Sequence, residues 1–294
     1  MNKIVVGVDE SPGSADAVAL AGGLAGITGA TLVLVNVFPY DLHPDRGANA
    51  EFEVYLRADS HALLERTRDE LDGDGVEVRA IANPSPAHGL HSAAEAEDAR
   101  LIFVGSTHTG RAGRVLPGST GERLLHGAPC PIAVAPRGYV AREPGVIGCG
   151  YDGTRSAQGA LAAARGIAER TGARLRVIRV FEPIPFDVPP ATMGSAYNDK
   201  LQERATEELE AAAVDAGAEQ VLTIGHPVKI LAEQSEELDL LFVGSRGYGP
   251  LRAVIIGGVA GRLVRVAACP VIVLPRTAEH VAEDSLFTTA ASVR

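Results

Sequence analysis

Glycines at two fixed spacings are the residues of this chain best suited to chemistry, and the chemistry they suit is holding a phosphate. In the second half, Gly244-Ser-Arg-Gly247 is followed after nine residues by Gly257-Gly258. In the first half the same frame reads Gly105-Ser-Thr-His108, nine residues, then Gly118-Ser119. A glycine at a strand end lets the backbone turn sharply and approach a ligand closely. A second glycine-led turn that opens a helix leaves N–H groups unpaired, and the helix dipole favours an anion there. Upstream of each frame an apolar strand ends in Gly-x-Asp, as Gly7-Val8-Asp9 and Gly150-Tyr151-Asp152. An isolated glycine loop is more often a tight turn that binds nothing. Two loops at one spacing, in both halves and beside the same Gly-x-Asp, favour a ligand. Helix capping is the plainer role of both aspartates, and it is compatible with binding.

Dedicated catalysis is not expected from the remaining side chains. No Gly-x4-Gly-Lys-Ser/Thr occurs, so a P-loop is excluded. Lys200 and Lys229 lie outside the glycine loops. Arg111, Arg114, Arg246 and Arg252 flank them and are suited to neutralising phosphate charge, although such residues are more often solvated. His108 has glycine, Gly247, as its counterpart in the other half, so no shared mechanism runs through it. His88, His91 and His126 lack metal-ligand spacing. Cys130 and Cys269 each precede a proline at a strand start, where a buried structural role is expected.

The elements that must position these loops are repeated. IVVGVDESPGS (4–14) matches IGCGYDGTRSA (147–157), and ATLVLVNVFP (30–39) matches ARLRVIRVFEP (173–183). ARLIFVGSTHTG (99–110) matches LDLLFVGSRGYG (238–249), and CPIAVAPR (130–137) matches CPVIVLPR (269–276). Four blocks in one order, at offsets of 139 to 143 residues, mean two copies of one unit. The boundaries expected are residues 1–138 and 145–276, with 277–294 as a tail without a counterpart. Each half alternates short apolar strands with helical segments. That pattern predicts a parallel sheet with right-handed crossovers and ligands beyond the carboxyl ends of its strands. Strands are expected at 3–8, 30–37, 76–81, 101–104 and 132–135, and again at 146–150, 174–180, 220–224, 240–243 and 271–274. The loops after Val8 and Val104 both leave strand C-termini and can face each other.

At this point the motifs resemble a known family. Gly-x2-Gly-x9-Gly-Ser/Thr is the ATP-binding signature of the universal stress proteins, and the resemblance covers roughly residues 1–137 and 145–276. It implies two tandem open parallel-sheet α/β sandwiches of Rossmann-like, adenine-nucleotide-binding type, paired as an intramolecular pseudo-dimer through their last strands. It implies ATP as ligand, with Mg2+ held mainly by the phosphates, in a nucleotide-dependent stress-response regulator with slow ATP hydrolysis at most. In the first half it assigns Asp9 to the ribose hydroxyls, Val37 to the adenine, and Gly105, His108, Gly118 and Ser119 to the phosphates. Gly7, Val8, Val104, Gly110, Arg111 and Thr120 complete its ATP-binding set there. The second-half set is Gly150, Tyr151, Asp152, Val180, Val243, Gly244, Arg246, Gly247, Gly249, Gly257, Gly258 and Val259. Neither half fits the signature fully. His108 stands where the signature has glycine, with Gly110 and Gly113 nearby to restore slack, and Gly258 stands where it has a hydroxyl. An enzyme of the ATP-pyrophosphatase type fits less well, since Asp9-Glu10-Ser11-Pro12 and Asp152-Gly153-Thr154-Arg155 are not its Ser-Gly-Gly-x-Asp-Ser loop. A scaffold with decayed sites is the third alternative.

Bulk properties set the surroundings. The 294 residues are 46% hydrophobic and 22% charged, a globular composition long enough for two domains. Aromatics are only 4%, so the core must be built of Val, Ile, Leu and Ala, as in sheets covered on both faces. A formal charge of −10 argues against nucleic acid as the main partner, yet leaves room for a phosphate bound by backbone N–H groups. Three scattered cysteines give no disulfide framework, and no apolar run is long enough for a signal-peptide core or a span. A cytoplasmic protein with no membrane partner is expected, with a homodimer through the last-strand edges as its further assembly.

Overall fold

The computed structural model describes residues 2–40, 50–71, 75–107, 114–115, 117–184, 191–245 and 258–274. Its strands are β1 (Lys3–Gly7), β2 (Thr31–Phe38), β3 (Val76–Ala82), β4 (Leu101–Gly105) and β5 (Ile132–Ala135), then β6 (Val146–Gly150), β7 (Arg174–Phe181), β8 (Glu219–Ile224), β9 (Leu240–Gly244) and β10 (Val271–Leu274). The helices are α1 (Pro12–Thr28), α2 (Ala50–Asp69), α3 (Pro86–Ala96) and α4 (Ser119–Leu125), repeated as α5 (Arg155–Thr171), α6 (Ala191–Ala216), α7 (Pro227–Gln234) and α8 (Gly258–Leu263).

Local chemistry fixes the first helix of each half. Ser11 caps α1 by accepting from the Ser14 N–H, and Pro12 follows at the first turn, where its missing donor is harmless. Thr154 caps α5 in the same way. Both helices stop at a glycine in the left-handed region, Gly29 at φ 68° and Gly172 at φ 71°. Alternation along the strands then assigns the faces. Ile4 and Val6 pack with Leu20 and Leu24 of α1, while Val5 packs with Leu90 of α3. One face of the sheet is thus covered by α1, α2, α5 and α6, the other by α3, α4, α7 and α8.

All ten strands form one sheet in the order β3-β2-β1-β4-β5-β10-β9-β6-β7-β8. Pairing is parallel within each half, and β1 lies between β2 and β4. The strand order therefore reverses beside β1, and likewise beside β6, which is where a ligand crevice is expected in such sheets. The halves meet where β5 and β10 run antiparallel, with Val134 opposite Val271, Ala133 opposite Ile272 and Ile132 opposite Val273. The pseudo-dimer implied by the family is present. The homodimer expected through the same edges is not compatible with it, because each last strand spends its free edge on the other; the outer edges of the sheet are β3 and β8. The connection between the halves is tied down as well. The Gly138 N–H donates to Asp16 Oδ2 at 2.9 Å, and Asp239 Oδ2 accepts from the N–H groups of Gly145 and Val146.

Candidate functional site

The first glycine of each frame is required by packing before any ligand is considered. At the end of β4, a Cβ on Gly105 would overlap the carbonyl of Gly13, and one on Gly13 would overlap the carbonyl of Ser106. The start of α1 and the end of β4 thus touch backbone to backbone, which is how the two loops come to face each other. The second half repeats the contact: a Cβ on Gly244 would lie 2.6 Å from Ser156 Oγ and 2.7 Å from the Ala157 nitrogen.

Between these loops the first half opens a cleft of about 380 Å³. Gly7, Val8, Asp9, Val37, Val104, Gly105, Gly118, Ser119 and Thr120, all expected from the sequence, line it. Its walls also include residues that the sequence did not single out: Asn36, Leu90 and Thr107. Asp9 is exposed; its Oδ1 accepts from the Ser11 N–H at 2.9 Å, and its own N–H donates to Ser14 Oγ. This is a turn within the loop and not the helix cap expected of the aspartates, since Ser11 and Thr154 are the caps; it occupies one carboxylate oxygen of Asp9 and leaves Oδ2 for a hydroxyl. Asn36 Nδ2 donates to the Val8 carbonyl at 2.7 Å, pinning the end of β1 to the wall. Val37 and Leu90 supply an apolar floor, and Gly89 lets α3 close on it, since a Cβ there would lie 2.6 Å from Val37 Cγ1. At the other end Gly118 precedes α4 with no side-chain cap, and a Cβ on it would meet only Thr107 Cγ2 at 3.5 Å.

The corresponding cleft in the second half is about 90 Å³, lined by Gly150, Tyr151, Asp152, Val180, Gly244 and Val259 together with Ile178, Pro227, Leu231 and Ala260. The side chains differ where they matter. Asp152 Oδ1 accepts twice from Thr154, the counterpart of Ser11, from its N–H at 3.1 Å and its hydroxyl at 2.5 Å. Asn36 is replaced by Arg179, whose guanidinium lies 3.5 Å from Glu208. Val8 is replaced by Tyr151, whose phenol is pushed up by burial, with a hydrogen bond from Gln158 opposing. Two expected residues stand elsewhere. Val243 is buried in the core, and Gly258 lines a separate hollow between the halves with Pro117, Glu122 and Arg262.

His108, Gly110, Arg111, Gly113, Arg246, Gly247, Gly249, Arg252 and Gly257 lie outside the described residues, as does the tail from 277. Arg114 does not serve the phosphate position suggested by its place in the sequence. Its Nη2 pairs with Glu236 Oε1 at 2.6 Å and its Nη1 donates to the Val266 carbonyl, both in the other half. Nothing in the local sequence of Arg114 signals that partner, which is 122 residues away. Among the described residues no cluster of His, Cys, Asp and Glu is suited to a metal ion. His88 and His91 stack on each other with ring centroids 6.3 Å apart. No helix among the described residues is long and apolar enough to cross a membrane.

Comparison with known proteins agrees with this architecture. The model of the universal stress protein family matches residues 1–136 and 145–275. A universal stress protein of Mycobacterium tuberculosis is 29% identical over 243 residues, covering 77% of this chain and 83% of the relative. One of Mycolicibacterium smegmatis is 28% identical over 291 residues, covering 92% and 96%. The crystal structure of a universal stress protein from Archaeoglobus fulgidus superimposes with a TM-score of 0.69 at 22% identity, over 94% of this chain and 98% of that one, a likeness of fold. With both halves matched and the two units joined through their last strands, the chain belongs to the universal stress protein family.

Proposed function

We propose that the chain is a nucleotide-responsive regulator that binds ATP in the first-half cleft. The observation that carries this is the cleft itself. Its volume of about 380 Å³ lies within the ~300–1,000 Å³ range of small-molecule sites. One end is apolar, at Val37 and Leu90; a half-free carboxylate stands at Asp9; the other end, Gly118-Ser119-Thr120, offers backbone N–H groups and hydroxyls. That order suits a purine, a ribose and a phosphate chain in sequence. Mg2+ would travel with the phosphates. Membership of the family supports the class of ligand. The cleft brings together groups for binding and orientation, and regulation through occupancy is the output that follows.

The second half fits the scaffold reading better. Its cleft is about a quarter as large, at about 90 Å³ against about 380 Å³. We therefore expect one nucleotide per chain. The test is to denature freshly purified protein and identify any released nucleotide by mass spectrometry, then to titrate stripped protein with ATP and magnesium by calorimetry. A stoichiometry near one, lost in Gly118→Glu, is the expected result, since the open space at Gly118 lets that variant fold. Neither released nor titratable ATP would leave a scaffold; a stoichiometry near two would restore the second site.

A further inference from the structure

We infer that the first-half site is clamped from the second half: two ion pairs that cross between the repeats bracket Gly118 and hold the segment that faces the phosphates. This rests on the nucleotide reading above and extends it to how the site is kept in shape.

The geometry is continuous from one half to the other. On the upstream side Arg114 Nη2 meets Glu236 Oε1 at 2.6 Å, and Arg114 Nη1 donates to the Val266 carbonyl at 3.1 Å. The next residue, Val115, is fully buried, and its N–H donates to the Ala267 carbonyl at 2.9 Å. On the downstream side Glu122, in the first turn of α4, meets Arg265 Nη2 at 2.8 Å. Glu236, Arg265, Val266 and Ala267 all belong to the second half. Between the two anchors Pro117 bridges to Ser106 at the end of β4, and Gly118, Ser119 and Thr120 line the cleft. The wall of the first-half cleft is thus held from both repeats: the Arg137 N–H of its own half donates to the Arg114 carbonyl at 3.1 Å, and Glu236, Arg265, Val266 and Ala267 hold it from the other half. A ligand that orders this wall must also favour the junction, and by reciprocity the junction must favour the ligand. Both pairs are exposed, so each is modest by itself.

The experiment compares ATP binding, by calorimetry with magnesium, in the unsubstituted 294-residue chain, in Arg114→Glu, in Glu236→Arg, and in the double variant with the charges exchanged. Loss of an exposed pair replaced by like charges should weaken ATP by about three- to tenfold in each single variant. The exchanged pair should return affinity to within about twofold of the unsubstituted chain. Thermal midpoints without nucleotide separate positioning from folding, and the single variants are expected to be fully folded at the titration temperature. Hydrogen exchange gives a second readout: ATP should slow exchange of the Val115 amide in the unsubstituted chain and less so in Arg114→Glu. Equal affinity in all four proteins overturns the clamp, as does a weakening that the exchange does not repair, one accounted for by unfolded protein, or exchange at Val115 that ignores ATP. If the unsubstituted chain binds no ATP, the nucleotide reading itself fails and the clamp falls with it.

Discussion

At the scale of single residues, the two halves set the same aspartate in clefts of different size. The Ser11 N–H bonds Oδ1 of Asp9, and the Thr154 N–H and hydroxyl both bond Oδ1 of Asp152; the cleft beside Asp9 is about 380 Å³ and that beside Asp152 about 90 Å³. A hydrogen bond to a charged group contributes about 1.5–3 kcal/mol. Asp9→Ala should therefore weaken ATP by roughly one to two decades in a calorimetric titration, while Asp152→Ala leaves affinity and stoichiometry unchanged. Equal losses in both would mean that both clefts bind. The three cysteines give a second prediction. Burial, with Asp98 adding to it, pushes the Cys130 thiol up to about 12, and burial pushes Cys149 and Cys269 higher still. Thiolate is the reactive form, so native protein at pH 8 should resist iodoacetamide and label fully once denatured, as read by mass spectrometry. Rapid labelling of the native protein would contradict the buried structural role.

At the scale of elements, the close approach of α1 to β4 separates two glycines that look alike in the sequence. Gly105→Ala forces a side chain into the Gly13 backbone, and overpacking of this kind costs about 1–3 kcal/mol. Gly118→Ala meets only ordinary van der Waals contact. Denaturant melts should show a clear loss in the first and almost none in the second. At the far end of the same sheet, Lys3 of β1 bonds both Glu77 of β3 and Glu97 beyond α3, and Arg79 bonds both glutamates as well. The hydrogen bond from Lys3 holds each glutamate below the ordinary carboxylate range; burial opposes this and Arg79 adds to it. A depressed folded-state value stabilises above the unfolded value and is lost as pH falls. Stability should therefore decline as pH drops below the ordinary glutamate range, with a shallower decline in Glu97→Gln, measured as melting midpoint against pH. The strands and helices themselves were legible because apolar runs, caps and glycine stops are local, and β5, β6 and β10 fall on the expected residues. Asp9 and Gly118, expected from a spacing seen twice, and Val37, expected from the family resemblance, come together as lining of one cleft. Asn36, Leu90 and the partner of Arg114 were not legible, because their roles exist only after distant strands and helices are brought together.

At the scale of the whole molecule, the pairing of β5 with β10 turns two open sheets into one and removes two apolar edges from solvent. Each of these strands is buried along its full length, which neither would be in an isolated half. A fragment of residues 1–138 would present β5 as an unpaired edge of Ile132, Ala133, Val134 and Ala135, a ready template for another copy of itself. The seam is already antiparallel between two short, wholly apolar strands in equivalent places of the two halves, so a β5–β5 pair needs no new geometry. We expect that fragment to sediment as a dimer while the full chain gives no dimer through these strands. Dimer formation should then be competed away by adding a separately prepared 145–276 fragment, which restores the natural pair. A fragment that stays monomeric at tens of micromolar would shift the weight of the junction from the strand seam to the ion pairs of Arg114 and Arg265 and the buried Val115. The two halves would then be held by the same contacts that shape the nucleotide cleft, and breaking those contacts would loosen the assembly and the site together.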